Sequence, residues 1–420
     1  MKHIIHDADA IQKNCDKRRV KLSIPELIEA YQNRNQTAQK LDGVRQRQNE
    51  IAQLIPKEKN PENRTKLIEE GRQLKTHLSL MEKTLQEQES HWMELMLKVP
   101  NLTHPDVPVG GEDEAKELHR VGTPPQFSFK PLNHLEIGHK HHLFDFESGA
   151  DVAGQKFYFL KNQAVFLELG LIRYALDILV KHGFTPMMTP DLARAEILEG
   201  IGFSPRGEES QIYSIEGHDL CLIGTSEITI GGMLRNRILD AKELPLRIAG
   251  ISHCFRTEAG SAGRESKGLY RVHQFSKVEM FIFALPEQSD RLHSELLAIE
   301  EEIFQGLELP YRVVDIASGD LGNPAYRKFD IEAWMPGRGE EGGYGEVTST
   351  SNCTDFQSRR LGIRFRDETG KTLPIHTLNG TAVAVSRALL ALLENGQQAD
   401  GSVILPKALV PYCGFDSIKS

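Results

Sequence analysis

The sequence predicts an α+β protein in two parts, an N-terminal antiparallel coiled-coil hairpin and a larger body of mixed strands and helices. Three observations carry this. Residues 24–99 hold apolar side chains at helical spacing on both sides of a proline-containing polar break at 56–64. Residues 246–283 read as strand, long glycine-rich loop and strand, with polar and apolar positions alternating along the second strand. Helical and strand patterns then interleave toward the end of the chain, with no G-x-x-x-x-G-K-[ST] phosphate loop and no dinucleotide-binding fingerprint.

A chain of 420 residues suggests two or three domains with a large core. Its net charge of −9 gives no general pull toward nucleic acid, so RNA binding would need local basic patches. No stretch approaches a membrane span, and no membrane partner is expected. The first residues carry acids and lack the apolar core of a signal peptide. Cys15, Cys221, Cys254, Cys353 and Cys413 are dispersed, with no CxxC pair. Reduced thiols in the cytoplasm are the expectation, an organelle matrix staying open, and no zinc site is expected.

Taken in order, residues 1–22 suggest a short helix and a basic turn. Leu27, Tyr31, Ala38, Leu41, Val44, Ile51 and Ile55 mark one long helix. Leu67, Leu74, Leu78, Met81, Leu85, Trp92, Leu95 and Val99 mark a second, which Pro100 ends. Each leg of this arm, about 25–99, would be about 50 Å long. Its outer faces carry Arg34, Lys40, Arg45, Arg47, Lys57, Lys59, Arg64, Lys66, Arg72 and Lys75. Taken alone, such a hairpin could equally be a spacer or an oligomerisation element. An N-terminal domain is placed at 1–103, a linker rich in proline, glycine and acid at 104–118, and the main domain at 119–420. Residues 119–160 read mostly as loop ending in a strand. His139, His141 and His142 lie there without carboxylates or cysteines at ligand spacing, so they read as surface or packing histidines.

Phe166, Leu169, Leu171, Ala175 and Leu179 predict an amphipathic helix over 162–181. Strand, turn and helix follow at 183–202. Residues 213–233 read as strands around a G-T-S-E turn, a pattern that also signals a helix N-cap. Along 271–279, Arg271, His273, Phe275, Lys277 and Glu279 share one face, while Val272, Val278, Met280 and Ile282 share the other. The preceding loop adds Arg256, Glu258, Arg264 and Lys267. Guanidinium forks beside a flat ring suit a polyphosphate joined to a base, and Glu279 suits an ammonium group; a solvated hairpin of mixed charge fits alternation equally well. A helix is expected near 287–306 and a strand near 311–316. Asp330, Glu332 and Trp334 alternate with Ile331 and Ala333, as on an edge or half-buried strand. In the stretch from 377, a polar turn with glycine precedes an apolar helix with Arg387 one and a half turns in, where a lone arginine could simply snorkel.

FRTEAGSAGRESKGLYRVHQFSKVE (255–279) resembles motif 2 of the class II aminoacyl-tRNA synthetases, and within them the seryl-tRNA synthetase family. GEVTSTSNCTDFQSRR (345–360) and the stretch 376–409 are similar to that family's later active-site strand and motif 3. The likeness spans nearly the whole chain in the family's order. It implies the class II synthetase fold, an antiparallel sheet flanked by helices, with motif 1 at about 183–202, motif 2 at about 246–283 and motif 3 at about 376–396. It implies that the arm grips the long variable arm of serine tRNA, with selenocysteine tRNA a further possible substrate, and that motif 1, with Pro190, forms a homodimer interface. The implied reaction joins L-serine and ATP into seryl-adenylate, then transfers the seryl group to the tRNA 3′ end. Neither step needs a protein nucleophile, so the implied work is positioning and charge neutralisation.

By the same resemblance Arg256, Glu279 and Arg387 are the catalytic residues. ATP would contact Arg256, Thr257, Glu258, Arg271, Phe275, Glu346, Val347, Thr348, Ser349 and Arg387, with Glu258 on the adenine amino group and Phe275 stacked on the ring. Serine would contact Thr225, Ser226, Glu227, Arg256, Glu279, Asn379 and Thr381. Glu346 and Ser349 would hold Mg²⁺ through ATP. On a regular strand positions 346 and 349 face opposite ways, so a bulge must lie between them. Many members have glycine where Ala382 and Ser386 stand, and an extra methyl in a tight site costs about 1–3 kcal/mol. The loop 337–346 resembles organellar-type members. Two rival readings are an inactive RNA-binding paralogue and a ligase that loads a carrier protein; the intact arm and the presence of Arg256, Glu279 and Arg387 weigh against both.

Overall fold

A computed structural model of the chain describes residues 1–203, 211–258 and 267–419. Arg264 of the motif 2 loop lies outside these described residues. Two compact units are present, Met1–Leu102 and Thr103–Ser420.

The first unit holds two short helices, Lys2–His6 and Ala8–Lys17, followed by α1 (Ile24–Leu54) and α2 (Pro61–Lys98). Both long helices start by the same device. The Ser23 hydroxyl accepts the Glu26 N–H at 3.3 Å, and the Asn60 side chain accepts the Glu62 and Asn63 N–H groups at 2.9 and 3.3 Å; each helix has proline in its first turn. At 1.5 Å per residue α1 and α2 are about 46 and about 57 Å long. Leu27, Leu41 and Ile51 of α1 are buried, as are Leu78 and Leu95 of α2. Register between the legs is also marked by ion pairs, Arg34 to Glu89 at 2.5 Å, Arg45 to Glu82 at 2.8 Å and Arg47 to Glu70 at 3.0 Å. Exposed pairs of this kind contribute little to stability, being screened by water and salt. Their consequence for function is that three of the outer-face arginines already have carboxylate partners.

The second unit is built on an eight-stranded sheet. Its strands are β1 (Lys116–Val121), β2 (Thr185–Met188), β3 (Leu246–Phe255), β4 (Gln274–Ala284), β5 (Tyr311–Asp315), β6 (Arg327–Met335), β7 (Gly343–Asn352) and β8 (His376–Ala384). In space the order is β1-β5-β6-β7-β8-β4-β3-β2. Every neighbouring pair is antiparallel except β2 with β3, which is parallel. Alternation along β4 explains why both faces are covered. Val278, Met280 and Ile282 join one core with helices α3 (Gln163–Lys181), α6 (Ser289–Gly306) and α8 (Val385–Gly396). Phe281 and Phe283 join a second core with α4 (Ala195–Ile201), α5 (Glu227–Met233) and α7 (Phe356–Leu361). All five side chains are fully buried, each contributing about 1.5–3 kcal/mol relative to exposure. The second face continues along β4 through Glu279, Lys277 and Phe275, where the covering helices give way to a cleft.

Several expectations need correction. Residues 119–160 are not mostly loop: they include the end of edge strand β1 and the helices His134–Lys140 and Phe146–Ala153, capped by Asn133 and Asp145. These helices are too short to show a periodic stripe. Of the two readings of β6, the edge strand falls, because it lies between β5 and β7, and the half-buried strand holds. The segment before the last long helix is strand β8, not a polar turn, and Arg387 is the third residue of α8, within its first turn. On α3 the buried face is Leu167, Leu171, Tyr174, Ala175, Ile178 and Leu179, while Phe166 and Leu169 are 56% and 59% exposed.

Candidate active site

The cleft is floored by β4, β7 and β8 and closed at one end by the first turn of α8. Two strand irregularities shape it. Ile331 of β6 pairs with Thr348, but the next residue, Glu332, pairs with Glu346, so Val347 is an extra residue in β7. This is the bulge that the spacing of Glu346 and Ser349 requires, and both residues line the cleft. In β8, Thr381 pairs with Glu279 and Val383 with Val278, so Ala382 is extra there. Ala382 packs into the first core and does not line the cleft, whereas Ser386 does. The methyl of Ala382 therefore adds nothing to the cleft wall.

At the α8 end, cations and a carboxylate interlock. Arg387 Nε donates to the Tyr270 carbonyl at 3.2 Å, and Nη1 donates to the Glu346 carbonyl at 3.0 Å and lies 3.3 Å from the Glu346 carboxylate. The guanidinium sits 4.8 Å from the Tyr270 ring centroid. Burial favours the neutral form of Glu346, but Arg387, Lys328 and Arg256 together outweigh it and bring its pKa down to about 2. The carboxylate stays charged, and the 41% of its side chain that is open to solvent helps it to do so. With the Ser349 hydroxyl it offers hard-oxygen donors to a cation that takes its remaining ligands from phosphates and water, the habit of Mg²⁺. Among the described residues no three His, Cys, Asp or Glu side chains group as a metal site by themselves.

In the middle of the cleft, Arg256 Nε donates to the Gly224 carbonyl at 3.3 Å and its guanidinium lies 5.4 Å from the Phe275 ring centroid. Arg271 Nη1 pairs with Glu258 at 2.6 Å. Glu258 has φ of 53°, a left-handed conformation uncommon outside glycine, as is frequent where a side chain is held for function. Thr257 donates its backbone N–H to Gln211.

The opposite end is a buried polar pocket. Thr381 Oγ1 donates to Glu279 at 3.1 Å, and Lys277 Nζ lies 2.5 Å from the same carboxylate oxygen. Glu227 accepts Gln357 Nε2 at 2.6 Å and Asn379 Nδ2 at 2.8 Å on one oxygen. Its pKa is pushed up to about 7, by burial first and by the Glu279 charge second, against the pull of Gln357, Lys277 and Arg256. Thr225 Oγ1 accepts the Glu227 N–H at 3.3 Å, a local turn bond, while Ser226 at the N-cap position of α5 makes no side-chain capping bond. The Ser226 hydroxyl is turned to the Gly250 carbonyl of β3 at 3.3 Å. Pro190 is exposed just past edge strand β2, away from the cleft.

Of the residues singled out from the sequence, Arg256, Glu258, Arg271, Phe275, Glu346, Val347, Thr348, Ser349, Thr381, Ser386 and Arg387 line the cleft, and Glu227, Glu279 and Asn379 belong to the buried polar cluster beside it; Pro190, Ser226, Lys267 and Ala382 do not face the cleft. Three partners carry no assigned role in the sequence reading: Gln357, which ties Glu227 to the Thr377 hydroxyl at 2.6 Å; Lys277, which neutralises Glu279; and Tyr270, which Arg387 rests on. Gln357 and Tyr270 depend on pairings between distant parts of the chain and leave no local signal, whereas Lys277 stands two residues before Glu279 on the same face of β4. His141 is buried and bonded through Nε2 to the Gly401 carbonyl at 2.8 Å, a packing role, while His139 and His142 are exposed.

Two family profiles match the chain: "Seryl-tRNA synthetase N-terminal domain" over residues 1–103 and "tRNA synthetase class II core domain (G, H, P, S and T)" over 211–396. The serine–tRNA ligase of Treponema denticola is 53% identical over 418 residues, covering 99% of each chain, and that of Rubrobacter xylanophilus is 54% identical, covering 100% of this chain and 98% of the other. Among solved structures, seryl-tRNA synthetase from Pyrococcus horikoshii complexed with ATP superposes with a TM-score of 0.84 at 40% identity over 99% of this chain and 98% of that one. Prolyl-tRNA synthetase of Giardia lamblia, at 18% identity and a TM-score of 0.57 over 66% of this chain and 54% of the other, shares the fold. With an N-terminal helical hairpin, an antiparallel catalytic sheet and full-length relatives of one activity, the chain belongs to the seryl-tRNA synthetases, within the class II aminoacyl-tRNA synthetases.

Proposed function

We propose that the cleft binds ATP along Arg256, Glu258, Phe275 and Arg387 and L-serine in the adjoining pocket, and that the seryl group then passes to serine tRNA, with selenocysteine tRNA a second acceptor. One observation carries this reading: a row of guanidinium groups and an aromatic ring leads directly into a buried pocket whose polar groups are already orientated. The serine carboxylate, held by Arg256, attacks the α-phosphate, and the same guanidinium neutralises the charge that builds there. Phe275 stacks on adenine, with Glu258 on its amino group and Thr257 beside it. Arg271 and Arg387 hold the outer phosphates. Mg²⁺, when bound through Glu346 and Ser349, screens the phosphate charges; the backbone around Val347 and Thr348 sets the spacing of those two ligands. Glu279 and Thr381 take the serine hydroxyl and ammonium end, with Thr225, Ser226, Glu227 and Asn379 shaping the wall. A pocket built to hydrogen-bond a hydroxyl rejects alanine by leaving buried groups unpaired, while threonine is excluded by space.

The hairpin supports RNA binding through phosphate contacts near its tip, where Lys57, Lys59 and Arg64 are exposed. A homodimer through motif 1 is supported by the exposed Phe166 and Leu169 of α3 and by edge strand β2, whose Met188 is 82% exposed. No helix among the described residues is long and apolar enough to cross a membrane; a cytoplasmic site fits the cysteine pattern. The test is charging of serine tRNA with labelled serine, alanine and threonine. Incorporation of serine alone supports the reading, and incorporation of another amino acid alone would sink the serine assignment.

A further inference from the structure

Tyr270 walls two cavities, the cleft described above and a neighbouring one of about 330 Å³ to which no role has been given. The charged side chains lining the neighbour are Lys267, Arg338 and Glu394. Glu394 is already engaged. One oxygen accepts the His134 backbone N–H at 2.9 Å and pairs with His134 Nδ1 at 2.8 Å; the other accepts the Gly337 N–H at 2.8 Å. His134 Nε2 in turn accepts the Leu269 N–H at 3.2 Å, so the ring proton sits on Nδ1, toward the acid. Glu394 thereby anchors both the turn that carries Arg338 and the end of the motif 2 loop; Lys267 and Arg338 are the cations that line the cavity.

Arg338 reaches Tyr270 across a glycine. Its guanidinium lies 4.8 Å from the Tyr270 ring centroid, the same distance as that of Arg387. A Cβ on Gly345 would come within 3.0 Å of the Tyr270 ring and 3.1 Å of Arg338 Nη1. The absent side chain immediately before Glu346 is what admits Arg338.

We propose that Arg338, assisted by Lys267, receives pyrophosphate as it leaves the cleft. The inference rests on the reading of the cleft as an ATP-dependent site that activates an amino acid. In that step a carboxylate oxygen bonds to the α-phosphorus, and the bond from that phosphorus to the oxygen bridging toward the β-phosphorus breaks. The electron pair stays on that oxygen, which departs as part of pyrophosphate; no proton moves and nothing is oxidised or reduced. Arg271 and Arg387 hold the leaving group within the cleft, and Arg338, resting on the same tyrosine as Arg387, stands in the adjoining cavity with a planar fork that matches phosphate oxygens.

Serine-dependent ATP–pyrophosphate exchange by the full-length protein with Mg²⁺, titrated separately in pyrophosphate, ATP and serine, tests this. Arg338→Ala is expected to raise the KM for pyrophosphate roughly ten- to a hundredfold while leaving the KM values for ATP and serine in place. Arg338→Lys should recover part of the loss, and Gly345→Ala, which keeps the cation but displaces it, should shift the pyrophosphate KM in the same direction. An unchanged pyrophosphate KM in Arg338→Ala, or a parallel rise in all three KM values, overturns the proposal and leaves the reading of the cleft intact. Wild-type protein without serine-dependent exchange overturns that reading and this proposal together.

Discussion

Glu227 accepts two amide hydrogen bonds on one buried oxygen, and burial together with the Glu279 charge pushes its pKa up to about 7. A carboxyl with a raised pKa is protonated below that value, so the negative charge that Glu227 adds to the wall of the serine site is lost as pH falls through about 7. The expected result is kcat/KM for serine that rises with pH through this range and then levels. Glu227→Gln, which keeps an acceptor for both amides, should lower the plateau and abolish the limb; a limb that persists in the variant excludes Glu227 as its source. Arg387→Ala should lower exchange by about 10²–10³-fold, the scale of losing one preorganised group that stabilises transition-state charge. Steady-state exchange rates check it, and a loss under tenfold would place Arg387 outside the phosphate site. The gathering of single residues was legible in the sequence where motifs concentrate them, as at Arg256, Glu258, Phe275 and Glu279. It was not legible at Gln357 or Tyr270, whose roles exist only once α7 meets α5 and once the motif 2 loop meets α8.

Among the elements, β7 shows how a strand can bring two ligands to one side. The spacing of Glu346 and Ser349 implies a bulge, and Val347 supplies it. Helix α6 carries Glu300, fully buried against the sheet beside the Thr348 hydroxyl, and burial outweighs that hydroxyl and raises its pKa well above the ordinary value. The folded state then binds its proton more tightly than the unfolded state, so this group's contribution falls as pH rises above the unfolded carboxyl pKa and continues to fall until the folded pKa is passed. Glu300→Gln should remove that dependence and match or exceed wild-type stability near neutral pH, measured by denaturant unfolding across pH. Strong destabilisation by Gln at every pH would mean that the acid has a specific ionic partner. β8 escaped the sequence reading because T-L-N-G-T carries turn-forming residues; they occur in a buried strand because Thr381 and Asn379 are paired to carboxylates and Gly380 lets Glu300 approach within 2.8 Å of its Cβ position.

At the level of the whole molecule, the sequence announces the division of labour more plainly than the sheet. Two long periodic stretches and their polar break are local signals, whereas the order of eight strands depends on contacts between distant segments. The arm and the cleft do separate jobs in this account. Reversing Lys57, Lys59 and Arg64 to glutamate at the hairpin tip should leave serine-dependent exchange unchanged, raise the KM for serine tRNA and flatten the salt dependence of charging. Equal loss of exchange would mean that the tip acts on the cleft or on folding.

The central claim is that this cleft activates serine with ATP. It is tested most directly by ATP–pyrophosphate exchange with purified full-length protein and Mg²⁺, supplied in turn with serine, threonine, alanine or no amino acid. Exchange that depends on serine, with alanine and threonine near the blank, is the predicted result. Exchange driven by a different amino acid would contradict the assignment of Glu279, Thr381, Glu227 and Asn379 to serine, and no exchange with any amino acid would contradict the catalytic reading of the cleft.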